Sequence, residues 1–423
     1  MRIVRANLPT LSILVLVLML VAACAPAPTP APTPTLPAEV TPTAEPVPEL
    51  MLIAFYASGT ADELQVFAVT ETGESISMDH LAFRGASVSP FGTYLALPSS
   101  PPPAPSVTIV DLRTPRQFEV GQLTDLDTFS MAFEDSEQRL AILEVSAPSA
   151  EEVSWALLVA NLLGEGVTRF PARSWMEEGA RLPGYPLGWI FGGFELLLDT
   201  FVPYTDAGGQ GVIALELRPD PVEEPPRVQD VPLEELAWRE VLPAEAYDTV
   251  PRLSSDATAL LYLDRDPDYL PDAYDPLGFD LAVNRLWTLS FDDPEAIVEP
   301  DMWLAVDDGS ALARVADWSP DGAQILYAQG TYDGGETFAS VELKIHDAVT
   351  PVRQVTELPL PEERHLVGLD WCRPELALVT TAESPGDYEL TLIDVIDGTS
   401  RSIAAAATVE VLGCVNELPA AAE

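Results

Sequence analysis

The sequence predicts an all-β fold: a single β-propeller of seven blades, six being the smaller count its spacing allows, closed by pairing of its N- and C-terminal strands. Three observations predict it. A short turn phrase recurs along residues 51–415 at intervals of 42 to 65 residues. A β-branched or aromatic run bounded by turn residues follows each phrase, and long helical periodicity is nearly absent. The body opens on one kind of strand and ends on the kind that would precede it.

The phrase is clearest in DWSPDGAQILYA (317–328) and ASVSPFGTYLAL (86–97). Weaker versions are MAFEDSEQRLAILEV (131–145), GWIFGGFELLLDTF (188–201), PRLSSDATALLYL (251–263) and LDWCRPELALVTT (369–381). Each ends a first strand, turns on small or polar residues and begins a second, apolar strand. The strand-ending residues are Val88, Phe133, Trp189, Leu253, Trp318, Trp371 and, most faintly, Gly413. Pro320-Asp321-Gly322 gives the turn its mechanism: proline presets φ, aspartate bonds nearby backbone, and glycine accepts positive φ.

A third strand with polar ends follows: 64–75, 106–115, 154–166, 211–219, 284–293, 340–348 and 388–399. The one helix candidate is PLEELAWREVL, 232–242, inside the longest insertion. A small sheet cannot bury both faces alone, so each blade leans on the next and the ring must close. MLIAFYAS (51–58) is already a second-type strand, and VEVLGCV (409–415) reads as a first-type strand. The last strand is therefore expected to complete the blade that the first begins.

Trp318-Ser319-Pro320-Asp321-Gly322 and Ser89-Pro90-Phe91-Gly92, each leading into an apolar strand, resemble the repeats of TolB-like (WD40-like) propellers. The resemblance spans most of 51–415, with two repeats matching well. The family's namesake carries an added N-terminal α/β domain where this chain has only a stalk. The resemblance implies a propeller and residence outside the cytoplasm, and no particular partner; propellers host binding proteins and enzymes alike.

Residues 1–23 read as an export signal. Arg2 and Arg5 precede the apolar run 11–23, whose thirteen residues would span about 20 Å as a helix, short of the roughly 30 Å hydrocarbon core. Val21-Ala22-Ala23-Cys24 resembles the lipobox of bacterial lipoproteins, which implies acylation (palmitate-type chains) on Cys24 and cleavage before it. Two or three chains anchor stably where one does not. Residues 25–50 hold nine prolines, which rule out helix and central strand and make 24–50 an extended linker of up to roughly 80 Å. The expected organisation is signal 1–23, lipidated cysteine and Pro/Thr-rich linker 24–50, propeller 51–415, tail 416–423.

Removing residues 1–23 leaves 19 basic and 67 acidic residues, a formal charge of −48. That argues against nucleic acid and against docking on anionic lipid, since both attract basic faces. Two cysteines remain, Cys372 and Cys414, at what read as equivalent points of consecutive repeats. Export permits a bond, but equivalent points on neighbouring blades often exceed the roughly 7 Å that a bond allows between Cα atoms. A disulfide and two buried thiols both stand.

The chemistry-bearing residues are sparse. His80, His346 and His365 each stand alone, and the chain has no G-x-S-x-G elbow, H-E-x-x-H, C-x-x-C or phosphate-binding loop. No catalytic, cofactor-binding or metal residue is assigned. DRDPDYLPDAYD (264–275) places Asp264, Asp266, Asp268, Asp272 and Asp275 at calcium-loop positions. Tyr269 replaces the required glycine, Asp275 the longer glutamate, and strands flank the loop, which favours a solvated connection over a calcium site. The residues preceding the strand ends, Ser87, Ala132, Gly188, Arg252, Asp317, Asp370 and Leu412, form the expected channel lining. Arg252, Asp317 and Asp370 stand there on consecutive blades, as an ion-paired lining or as a cation or acid–base site. The insertions 98–106 and 218–250 are expected to project from the ring, where recognition loops usually sit.

The reading that follows is a lipid-anchored binding or scaffold propeller of a bacterial cell envelope, facing outside the cytoplasm at a membrane or the cell surface, its partner an envelope protein or polymer. The alternative is an extracytoplasmic hydrolase or lyase using the channel's acidic residues. A spacer domain within a larger surface assembly is a third.

Overall fold

In the computed structural model the chain divides into residues 1–49 and a compact unit from Leu50 to Glu423. The structure describes residues 51–416 apart from the segments 61–62, 83–84, 100–105, 115, 121–127, 150–151, 163–165, 173–181, 202–210, 218–237, 244–250, 267–282, 292–299, 307–309, 333–337, 348–352 and 359–363. Among the described residues there are seven four-stranded antiparallel sheets and one short 3-10 turn, Phe191–Gly193. The all-β, seven-bladed expectation holds.

Blade 1 is ordered Thr408–Cys414, Leu52–Thr60, Glu63–Thr70, Ser75–Ala82, so the last strand of the chain is the innermost strand of the first blade. The ladder pairs Ala54 with Cys414, Phe55 with Gly413 and Tyr56 with Val411. The other inner strands are Ser87–Val88, Thr128–Phe133, Leu182–Ile190, Arg252–Leu253, Ser310–Trp318 and His365–Arg373, for blades 2 to 7. Each touches the next, and the last touches blade 1, so the seven surround a channel.

Alternation along the second strands explains the ring. In Glu195–Phe201 of blade 4, Leu196 and Leu198 pack with Trp189 against Ala141, Leu143 and Leu157 of blade 3. Leu197 between them packs on Leu260 and Tyr262 of blade 5. Side chains leave a strand to opposite faces in turn, so an unbroken apolar run feeds two interfaces at once. The core consists of seven such clusters, each shared by two neighbouring blades. Full burial of one such leucine is worth about 1.5–3 kcal/mol, which a lone sheet forgoes on at least one face.

One expectation fails here. The helix predicted over 232–242 is absent where described: Trp238–Leu242 is the outer strand of blade 4, pairing Leu215 with Trp238 and Ala214 with Arg239. The open edge of Gly211–Glu216 supplies backbone partners, and pairing overrides a weak local helical preference. The segment 218–250 is thus two connections on either side of a strand. In the other insertion, Pro98 and Ser99 end one strand and Ser106 begins the next; 100–105 lie outside the described residues.

The turns after the inner strands form a second ring at one end of the channel. Four residues past the strand end, Gly92, Glu137, Gly193, Ala257 and Gly322 all have left-handed φ, from 54° to 87°. In four of the five the amide there donates to the carbonyl three residues back, as in Gly322 to Ser319 at 2.8 Å. Where the residue is not glycine the strain has a use at Glu137. Its carboxylate accepts from the Ser89 hydroxyl and from the Phe91 amide (2.8 Å) of the preceding blade's turn. Ala257 makes no such return. Glu137→Ala is therefore expected to cost about 1–3 kcal/mol by leaving those donors without their acceptor. Ala257→Gly should instead gain about 0.5–1 kcal/mol, as relief of left-handed strain outweighs the looser unfolded chain. Urea unfolding midpoints of the two variants check both signs.

Candidate functional site: the channel

The inner strands place one residue each at a common level of the channel, just before the strand end. The predicted set is found with one correction. In the last strand the equivalent residue is Gly413, because Cys414 pairs with Ala54 and the Val415 amide bonds the Ile53 carbonyl, as Ser319 bonds Gln324 in blade 6. Leu412 is instead buried in the cluster between blades 1 and 2. The faint phrase there lacks an aromatic strand end, so its register read one residue early, and one residue flips the face.

The corrected set divides the channel wall. Gly413, Ser87, Ala132 and Gly188 line blades 1 to 4, and Arg252, Asp317 and Asp370 line blades 5 to 7. Arg252 Nη1 lies 3.4 Å from Asp370 Oδ1, so the guanidinium spans from blade 5 to blade 7 across the face of blade 6. Asp317 Oδ2 accepts the Trp371 amide at 2.8 Å, which ties blade 6 to blade 7. The strand ends beneath are held by indoles: Trp189 Nε1 donates to the Ala132 carbonyl at 3.2 Å and Trp318 Nε1 to the Arg252 carbonyl at 3.1 Å. Each tryptophan thus fixes the channel residue of the preceding blade.

Charge at this level does not balance. One guanidinium faces two carboxylates. Burial pushes Asp317 up to about 6; Asp370 adds to the shift, while Arg252 and the Trp371 amide oppose it. Burial also raises Asp370 against the pull of Arg252. The Arg252 side chain is nevertheless 47% exposed and that of Asp370 17%. Channel water thus reaches the guanidinium and, to a lesser degree, its partner, and each carboxylate's proton affinity depends on the charges beside it.

The other sequence candidates are scattered. Asp264 accepts both Nε and Nη2 of Arg285 at 2.8 Å and the Trp287 indole at 2.8 Å, and Asp266 lies 3.4 Å from Arg285 Nη1. The first two positions of the supposed calcium loop are thus occupied by a guanidinium; 267–275 lie outside the described residues. His80 is on the outer strand of blade 1, His346 packs 5.6 Å from the Trp303 ring, and His365 opens the inner strand of blade 7. Among the described residues no group of three His, Cys, Asp or Glu is placed to hold a metal ion. Cys24 lies outside them.

The open question of the two cysteines is decided: Cys372 and Cys414 are bonded, with Cα atoms 4.9 Å apart. The corrected register shows why they come so close. Cys414 is the strand-end residue of blade 1, equivalent to Trp371, whereas Cys372 lies one residue beyond, at an irregularity between Trp371 and Arg373. They are not equivalent points.

Because Asp317 holds its proton more tightly folded than unfolded, the folded chain binds more protons here between about pH 4 and pH 6. Stability contributed by the pair falls as pH rises through that window. Asp317→Asn keeps an acceptor for the Trp371 amide and removes the unmatched charge. Relative to wild type it should gain urea resistance at pH 8 and lose that advantage at pH 5, whereas Arg252→Gln should weaken the fold more at pH 8 than at pH 5.

No known protein-family profile matches the chain, and no curated protein matches it by sequence. Solved structures do share its shape. A putative 6-phosphogluconolactonase from Bacteroides fragilis is 13% identical with a TM-score of 0.50, over 87% of this chain and 99% of that one. Oligogalacturonate lyase from Vibrio parahaemolyticus is 11% identical with a TM-score of 0.50, over 84% and 86%. TolB from Acinetobacter baumannii is 16% identical with a TM-score of 0.42, over 84% and 81%. Likeness at such identity speaks to the fold alone.

Proposed function

We propose that the chain is a lipid-anchored propeller of a bacterial cell envelope, held outside the cytoplasm through Cys24 and the 24–50 linker, and that it binds or scaffolds an envelope protein or polymer. The observation that carries the reading is the closed ring itself. Backbone pairing of the last strand with the first closes seven blades into one ring. The described residues Leu52 and Asn416 both lie at the end that carries the inner-strand turns: Leu52 begins its strand there, and the Asn416 amide bonds the Pro90 carbonyl of one of those turns at 2.6 Å. The disulfide agrees with an oxidising compartment, and the sign asymmetry of charge agrees with a partner that is not itself acidic.

A second reading has one observation in its favour. Asp317 and Asp370 form a carboxylate pair with Asp317 near 6, a range suited to proton transfer at neutral pH. In that reading the channel is the active site of an extracytoplasmic hydrolase or lyase.

Crosslinking on intact cells, followed by mass spectrometry of captured neighbours, separates the two. Binding predicts one recurrent envelope neighbour, retained in Asp317→Asn and Asp370→Asn variants. Catalysis predicts none, with a small molecule retained in the channel by native mass spectrometry. Cys24→Ala should release the chain from the membrane fraction; continued sedimentation with membranes would contradict the anchor.

A further inference from the structure

Three features of the channel wall ask for different parts of one ligand. The first is charge. Asp317 and Asp370 share one guanidinium, and among the described residues Arg252 is the base that acts on both. The bases of the turn ring are committed elsewhere: Arg139 to Glu134 and the Gly193 carbonyl, Arg373 to Glu71 and to the carbonyls of Val415 and Leu52. Gly413, Ser87, Ala132 and Gly188, on the other four blades, project little into the channel. The second is a buried donor. Trp371 is 4% exposed, and its indole Nε1 has no acceptor. Its counterparts Trp189 and Trp318 each donate to the carbonyl of the preceding blade's channel residue. For Trp371 that residue is Asp317, whose carboxylate already holds the Trp371 amide. The third is aromatic. Tyr185, on the inner strand of blade 4, is 53% exposed. Between the Pro183–Thr200 and Pro186–Leu198 pairs the inner strand takes three steps against two in its neighbour. Such a bulge re-aims a side chain, and Tyr185 lies in it, roughly 10 Å along the strand from Gly188 at the channel level.

We propose that the channel binds a cationic amino-sugar chain: its ammonium group on the Asp317–Asp370 pair, a neighbouring hydroxyl oxygen on the Trp371 indole N–H directly or through one water, and the flat face of a second ring on Tyr185. This names the polymer of the binding reading above and rests on that reading, without needing the anchor or a protein neighbour. A primary ammonium brings one charge and three donors, which suits one unmatched carboxylate. A simple alkylammonium meets the charge and leaves the indole and the ring unused. An acidic sugar is repelled by the same pair. The negative face of the tyrosine ring draws a sugar's polarised C–H groups and its nearby cation, and two linked rings cover the distance between Tyr185 and Asp317. Arg252 stays with Asp370, so the ammonium supplies the charge the wall lacks. In acid, Asp317 takes a proton instead, near pH 6, and proton and ammonium compete.

Titration calorimetry of the purified full-length chain with the β-1,4-linked glucosamine dimer tests the site, with the N,N′-diacetylated dimer and ethylammonium as controls. At pH 7 the free amine is expected to bind and the acetylated dimer not. Asp317→Asn should weaken binding about tenfold or more, and Tyr185→Ala about threefold. Wild type at pH 5 should bind about tenfold more weakly than at pH 7. The Trp371 indole resonance, assigned with Trp371→Phe, should shift on binding. Equal binding of the acetylated dimer or of ethylammonium would overturn the proposal. So would an unchanged affinity in Asp317→Asn, or no binding of the free amine at pH 7. Asp317→Asn keeps the acceptor for the Trp371 amide and Tyr185 is exposed, so both variants are expected to fold; if either does not, the pH 5 titration of the wild type decides. No binding here, beside a recurrent envelope neighbour in the crosslinking experiment, sinks the amino sugar and leaves the binding reading standing.

Discussion

The structure depends on one constraint: every blade is apolar on both faces. A half-buried sheet alternates polar and apolar residues and can stop at solvent. Runs such as Leu196-Leu197-Leu198 cannot, because neighbouring residues feed opposite interfaces. Each blade therefore needs a neighbour on either side, and a finite row satisfies that only by becoming a circle. Seven clusters, each split between two blades, are the outcome. The channel, the turn ring and the seam all follow from closure.

Closure also sets where chemistry can occur. Packing uses up both faces of each blade, so functional groups are confined to the channel and the two ends. At the channel level, small residues on four blades face a guanidinium and two carboxylates on three. The tryptophan indoles of blades 4 and 6 fix the wall by bonding the carbonyls of Ala132 and Arg252, which leaves those side chains free to face the water. A wall with unbalanced charge holds a proton in preference to none, which is why the catalytic reading rests on Asp317 and Asp370.

Much of this was legible in the residues. The Ser-Pro-Asp-Gly and Ser-Pro-Phe-Gly turns carry a mechanism strong enough to set register in blades 2 and 6, and from them the channel residues of six blades follow. What was missed lies where local signal is weak and long-range pairing decides. Gly413 has no aromatic beside it, so a slip of one residue put Leu412 in the channel and hid why Cys372 and Cys414 meet. Trp238–Leu242 sits in a helix-like stretch whose strand exists only because blade 4 has an open edge. Glu137 looks like an ordinary turn residue; nothing local announces that its carboxylate serves Ser89 and Phe91 in another blade.

The account stands most directly on the pairing of 408–414 with 52–60. Ending the chain after Ala407 removes that strand and no other. The shortened chain is expected to lose its single cooperative unfolding transition and to self-associate through the exposed edge of Leu52–Thr60. A shortened chain that stays monomeric and melts as the full-length protein does would contradict closure as the source of stability.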